Sequence, residues 1–316
     1  MANPDTEIVL DFYPRYRTYK SGRVERFIGT ETVPAGVDSS TGVSSKDVVL
    51  LPDSGVSARL YLPPLLQPQP QTHLLPVLVY FHGGGFCIES AFSPTYHSYL
   101  NSLAANARVL IVSVNYRRAP EHLLPTAYND SWEALRWVAS RSEEWLGSYG
   151  DSSRVFVAGD SAGANIVHQL ALRAGRETVG DGVELRGALL VHPYFWGSSP
   201  VGEETRDTVA RSRIEWLWRM AAQPEMGLDH PYFNPVAEGA PILAGLACAR
   251  VLVCVASEDT FGERGRHYYK QLVGSGWGGA VELLEAEGEG HVFHLKKPSC
   301  AKALEMMNVV VAFLNS

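Results

Sequence analysis

Several things are scarce in these 316 residues, and each scarcity removes a class of function. Basic residues are outnumbered, 27 Lys and Arg against 34 Asp and Glu, for a formal net charge of −7. Such a chain has no cationic footprint for nucleic acid or for an anionic membrane, so neither is expected as a partner. Cysteine occurs four times, at Cys87, Cys248, Cys254 and Cys300, too few and too scattered for a disulfide scaffold or a metal knuckle. Reduced thiols are expected. No apolar run is long enough to insert across a bilayer. The ten histidines never take an HExxH spacing, and the glycine patterns that cradle nucleotides are absent, so no metal and no cofactor is expected. Asp5, Glu7 and Asp11 come before any basic residue, unlike a signal or transit peptide, and the closing Leu-Asn-Ser is no address. The expected home is the cytoplasm, with the nucleus as a second compartment.

What is present is an ordinary soluble composition, 46% apolar and 19% charged. Eight short strand-like runs punctuate it, at 46–51, 56–62, 76–81, 108–114, 155–158, 185–191, 250–256 and 281–284. The first two flank a Pro-Asp-Ser-Gly turn and read as an antiparallel hairpin. Helix-compatible stretches at 96–107, 130–140, 263–273 and 302–314 separate the later runs, and a Pro- and Gln-rich connection is expected at 63–72. Apolar runs without strict alternation, divided by helices, predict an α/β fold with a mostly parallel eight-stranded sheet covered on both faces. Two segments stand outside this rhythm. Residues 1–45 form an arm in which Phe12, Tyr13, Tyr16 and Tyr19 alternate with Arg15, Arg17 and Lys20. Residues 192–245 show no strand but carry Trp216, Leu217, Trp218 and Met220. A single domain is expected, with the arm and the insertion as a helical cap.

The chemistry-bearing stretch is 155–168, where an apolar run ends in Gly159-Asp160-Ser161-Ala162-Gly163 and helix-compatible sequence follows at once. A strand, a sharp turn and a helix are the context in which GxSxG presents an exposed nucleophilic serine. A hydroxyl needs a base, and the base needs an orienting acid. Both follow in order at the ends of later strands. Run 250–256 leads to Glu258 and Asp259, of which Asp259 is favoured; run 281–284 leads to His291 and His294, of which His291 is favoured and the other is expected to pack. Strand ends on the carboxyl side of such a sheet converge. His82-Gly83-Gly84-Gly85 follows the 76–81 run, and three bare glycines suit a loop whose N–H groups must face a cavity. Gly83, Gly84 and Ala162 are the expected oxyanion donors. Phe12, Tyr16, Trp216 and Met220 are pocket candidates. His82 is read as a loop brace, His168 as packing, Glu121 as part of a structural turn, and Asp160 as a loop anchor ahead of a general acid.

HGGGF at 82–86, NYRRAPEH at 115–122, GDSAG at 159–163, Asp259 and HVFH at 291–294 together resemble the hormone-sensitive-lipase-like carboxylesterases. The plant branch, which also holds the gibberellin receptors and the hydroxyisoflavanone dehydratases, is the most similar, and YKSGRVERF at 19–27 resembles its N-terminal segment. The resemblance implies an α/β-hydrolase fold, a triad of Ser161, Asp259 and His291, and a small-molecule ester as substrate. The receptors lack the triad histidine and the dehydratases carry Thr at the nucleophile position, whereas this chain has His291 and Ser161. A non-catalytic hormone receptor is therefore the lesser alternative. A lyase, a cyclase or an intramolecular acyltransferase would carry the same motifs. Arg118 and the Glu258–Glu263 stretch depart from the family pattern.

Overall fold

The structure, a computed structural model, describes residues 3–65, 74–180 and 182–316. Most of the connection expected at 63–72 thus lies outside the described residues. In chain order the elements are β1 (Ile8–Phe12), β2 (Tyr16–Tyr19), β3 (Val24–Arg26), β4 (Ser44–Leu51), β5 (Val56–Leu62), β6 (Leu75–Phe81) and α1 (Pro94–Ala107). Then come β7 (Leu110–Asn115), α2 (Thr126–Ser140), α3 (Glu144–Tyr149), β8 (Gly150–Asp160), α4 (Ala162–Ala174), β9 (Leu185–Val191) and α5 (Thr208–Ala221). The chain closes with β10 (Arg250–Ala256), α6 (Gly262–Gly274), β11 (Ala280–Ala286), α7 (Phe293–Lys296) and α8 (Ala301–Leu314).

Strands β4 to β11 make one eight-stranded sheet in the order β11-β10-β9-β8-β6-β7-β5-β4. The β4–β5 and β5–β7 pairs are antiparallel, and the other neighbours run parallel. Alternate residues of each central strand enter different cores. Val77, Val79 and Phe81 pack with Trp132 and Leu135 of α2 and Ile166 and Leu170 of α4. Leu78 and Tyr80 pack with Leu100 and Leu103 of α1 and Val310 and Phe313 of α8. Burial on both faces is why these strands are unbroken apolar runs in the sequence.

One expectation needs correction. The N-terminal arm is not helical: β1, β2 and β3 form a three-stranded antiparallel sheet. Within β2 the two end residues, Tyr16 and Tyr19, are buried, and Arg17 and Thr18 between them are half-buried. Segment 192–245 holds no strand among its residues and contributes α5. Arm and insertion meet where the Phe12 ring packs edge-on against Trp216, with centroids 4.5 Å apart. Behind that contact Trp218 stacks on Phe233 at 4.3 Å, tying α5 to the rest of its own segment.

Candidate active site

Strand β8 runs into a turn too tight for ordinary residues. Ser161 has φ 53° and ψ −115°, a strained region that costs a non-glycine residue on the order of 1–3 kcal/mol. Its backbone is held on both sides, the N–H donating to the Val191 carbonyl at 2.9 Å and the carbonyl accepting the Tyr194 N–H at 3.0 Å. A Cβ on Gly159 would stand 2.5 Å from the Gly163 backbone, and one on Gly163 would overlap the Phe81 carbonyl. Strand and helix approach this closely only because both positions lack side chains. Ala162 begins α4, so its N–H has no acceptor within the helix.

The loops after β10 and β11 bring the acid and the base to this serine. His291 Nε2 lies 2.9 Å from Ser161 Oγ, and His291 Nδ1 lies 2.8 Å from Asp259 Oδ2. A carboxylate can only accept, so Nδ1 carries the proton and the lone pair of Nε2 accepts the serine O–H. Asp259 is buried, and its other oxygen accepts the Phe261 N–H at 3.0 Å. Burial pushes its carboxyl up, but the hydrogen bond and charge of His291 outweigh burial and leave it below the ordinary aspartate range. Glu258, the sequence competitor, is exposed. His294 is buried with its ring edge-on to Tyr99 at 5.1 Å, in a packing role.

The glycine loop differs in one respect from expectation. The Gly83 N–H donates to Tyr96 Oη at 2.8 Å and, more weakly, to Asp160 Oδ1 at 3.2 Å. It is therefore not free for an oxyanion. The glycines that line the cavity beside Ser161 are Gly84 and Gly85, with φ of 99° and 60°. Among the described residues their N–H groups donate to no protein acceptor. The N–H groups beside Ser161 without a protein acceptor are thus those of Gly84, Gly85 and Ala162, and not that of Gly83. Asp160 is the anchor: besides Gly83 it accepts from Tyr80 Oη at 2.9 Å and Tyr96 Oη at 3.0 Å. Burial drives its carboxyl up to about 6, against the pull of those hydrogen bonds. His82 stacks on Tyr116 at 4.3 Å, and its Nδ1 lies 2.8 Å from the Gly83 carbonyl, the expected brace. His168 bonds the Tyr268 hydroxyl inside the core, and Glu121 pairs with Arg26. Arg118 donates to the Glu89 carbonyl in the segment that follows the glycine loop.

Ser161 and His291 open onto a cavity of about 790 Å³. Phe12 and Trp216 line it as expected, whereas Tyr16 and Met220 do not. Tyr16 is fully buried, edge-on to Phe12 within the arm's own packing. Met220 lies on the last turn of α5, which is tied to Leu124 by the Leu124 N–H to Ala221 carbonyl bond. That turn packs on the core beyond the cavity. Lining residues missed in the sequence include Arg15, Gly85, Tyr194, Arg213, Leu217 and Phe261.

His192 was also missed, although a histidine directly after a parallel strand is on the ligand side of the sheet. A ring nitrogen of His192, one of His291 and an oxygen of Asp259 lie within 4.8 Å of one another. The set does not suit a metal ion. His192 Nδ1 accepts the Val292 N–H at 2.8 Å, which leaves the proton on Nε2, and His291 presents Nδ1–H to Asp259. Neither imidazole offers a lone pair there.

Residues 78–295 match a family model described as the alpha/beta hydrolase fold. Tuliposide A-converting enzyme 2 of Tulipa gesneriana, named chloroplastic, is 51% identical over 98% of this chain and 79% of its own length. Probable carboxylesterase 2 of Arabidopsis thaliana is 43% identical over 100% of this chain and 99% of its own. Among solved structures, EstE1, a thermostable carboxylesterase from a metagenomic library, is 27% identical with a TM-score of 0.70, covering 90% of each chain. The expected cytoplasmic or nuclear home is corrected by these relatives. Two tulip proteins matching 98% of this chain are named chloroplastic and a third amyloplastic. No helix among the described residues is long and apolar enough to cross a membrane.

Proposed function

Because the chain belongs to the plant carboxylesterase-like family of α/β-hydrolases, we propose that it is a serine carboxylesterase acting on small to medium esters with a hydrophobic body. One observation carries this reading: the unbroken row from Ser161 Oγ to His291 Nε2 at 2.9 Å and from His291 Nδ1 to Asp259 at 2.8 Å. In the proposed cycle Ser161 attacks the ester carbonyl while Nε2 takes its proton, and Asp259 stabilises the imidazolium. The N–H groups of Gly84, Gly85 and Ala162 receive the oxyanion, each worth about 3 kcal/mol in such a site. His291 then protonates the departing alcohol, and the same imidazole activates the water that releases the acid. The chain is one hydrolase domain, and segments 1–45 and 192–245 act as its cap. The plastid names of the tulip relatives support a plastid setting.

The test is turnover of 4-nitrophenyl esters by the wild type, Ser161→Ala and His291→Ala. Each variant is expected to lose at least about a thousandfold in kcat. A folded Ser161→Ala protein with wild-type activity would sink the reading. A second reading of the same site is favoured by one finding, that relatives at 51% identity are named converting enzymes: a hydroxyl of the acyl group attacks the acyl-enzyme carbonyl and displaces Ser161, or an elimination proceeds with no acyl-enzyme. With the native substrate in 18O-labelled water, hydrolysis leaves one label in the acid product, and the alternatives leave none.

A further inference from the structure

His192 stands beside the triad without being part of it. It follows β9 at φ 48°, is 1% exposed, and its N–H donates to the Cys254 carbonyl of β10 at 2.8 Å. Its side chain reaches the third strand end: Nδ1 accepts the Val292 N–H at 2.8 Å. Val292 is itself at φ 50° and ψ 38°, a left-handed conformation that a β-branched residue avoids unless something holds it. The His192 ring lies 5.9 Å from that of His291, 5.5 Å from Phe293 and 5.8 Å from His294, so it fills the space under this loop. One residue therefore links the ends of β9 and β10 through its backbone N–H and, through its imidazole, holds the peptide that follows His291.

We propose that His192 is a positioning residue: by accepting the Val292 N–H it fixes the peptide next to His291, and so sets the imidazole over Ser161. The proposal rests on the esterase reading above. It makes the acceptor at the Nδ1 position the part that matters, which substitutions can separate from mere bulk. Asparagine puts its Oδ1 close to where Nδ1 was and tolerates the left-handed backbone; glutamine carries its amide one bond further. In steady-state hydrolysis of 4-nitrophenyl acetate, His192→Ala should lose on the order of a hundredfold in kcat with little change in KM, the cost of a base displaced by about 1 Å. His192→Asn should recover most of that loss, and His192→Gln should not. Melting temperatures of the three variants report folding alongside. An Ala variant with wild-type kcat, a loss confined to KM, or equal behaviour of Asn and Gln would overturn the proposal. Absence of ester turnover by the wild type would instead overturn the esterase reading.

A different set of side chains bears on the substrate. Arg15, between β1 and β2, and Arg213, on α5, both line the cavity; Arg213 is exposed and Arg15 half-buried, so they occupy its solvent side. Among the described residues neither guanidinium has a carboxylate within ion-pair distance, and the nearby Glu215 pairs with Arg211. Lys296, also lining, donates to the His291 carbonyl; the acidic lining residues are Glu89, the triad Asp259 and Asp160, which is buried and held by Tyr80, Tyr96 and Gly83. A cation-rich rim on a chain of net charge −7 is a local feature. We infer that the preferred esters, on the same esterase reading, carry an anionic group such as a carboxylate remote from the scissile bond. The probe pair is the 4-nitrophenyl monoester of adipic acid and the uncharged 4-nitrophenyl 6-methylheptanoate, of matched shape. The acid should show a kcat/KM higher by about five- to tenfold, the worth of two exposed ion pairs. The preference should shrink in 0.5 M NaCl and in Arg15→Gln and Arg213→Gln. Equal or better cleavage of the uncharged ester, or a preference indifferent to both arginines, contradicts the inference; cleavage of neither ester contradicts the function itself.

Discussion

Asp160 shows how one side chain can serve the site at a cost to the fold. It fixes the glycine loop by accepting from Tyr80, Tyr96 and Gly83, yet burial raises its carboxyl to about 6. A folded value above the unfolded 3.8 means that the favourable term is complete below about pH 4 and is lost as pH rises through 6. By pH 7 the ionised group costs about 3 kcal/mol relative to an unshifted one. Asp160→Asn should therefore gain on the wild type by roughly that amount between pH 4 and 7 and by nothing further above it. Urea denaturation at several pH values measures this, and parallel stability curves would contradict it. The same residue explains a limit of the sequence. Three glycines in a row announce bare backbone, but which N–H faces the cavity is decided by Asp160, 77 residues away, and Tyr96, 13 residues away. The meeting of Ser161, Asp259 and His291 was legible because each follows the carboxyl end of a parallel strand, β8, β10 and β11, and these ends converge whatever the pairing order.

At the scale of elements, legibility followed burial. Strands β6, β7, β9 and β10 are buried on both faces and so appear as unbroken apolar runs. Strand β8 begins at Gly150, earlier than its apolar run, because Gly150 and Asp151 pair by backbone alone with Leu75 and Pro76. The arm escaped because its strands span three to five residues, too short for a periodicity to be read. Its attachment is specific. Arg26 donates to the carbonyls of Cys87 at 2.7 Å and Ala119 at 2.9 Å and pairs with Glu121. Arg26→Ala should free the arm and raise KM several-fold while leaving kcat nearly unchanged; a fall in kcat alone would contradict a covering role. The Phe12–Trp216 contact should show a coupling of about 1 kcal/mol in kcat/KM across the Phe12→Ala, Trp216→Ala cycle. Additive single effects would mean that the arm and α5 act on substrate separately.

For the whole molecule, the buried histidines outweigh Asp160. Burial lowers His82, His168 and His192 to about 3 and holds His294 well below its ordinary value as well, against an unfolded value near 6.5. Groups lowered in the fold contribute stability above pH 6.5 that drains away as pH falls toward 3. Lowered histidines take up protons on unfolding near pH 5 whereas the raised Asp160 releases one, so these four rings outweigh it and favour the unfolded chain as pH falls. The urea midpoint should fall steeply between pH 6.5 and 5, and a flat profile there would mean that these rings are not neutral and enclosed. At this scale the proposed function requires that the sheet bring one activated hydroxyl to the end of β8. Intact-mass and peptide mapping after treatment with a fluorophosphonate tests it most directly. A single adduct per chain is expected on Ser161, absent in Ser161→Ala and much slower to form in His291→Ala. A folded wild-type protein that stays unmodified, or carries its adduct on another residue, would contradict it.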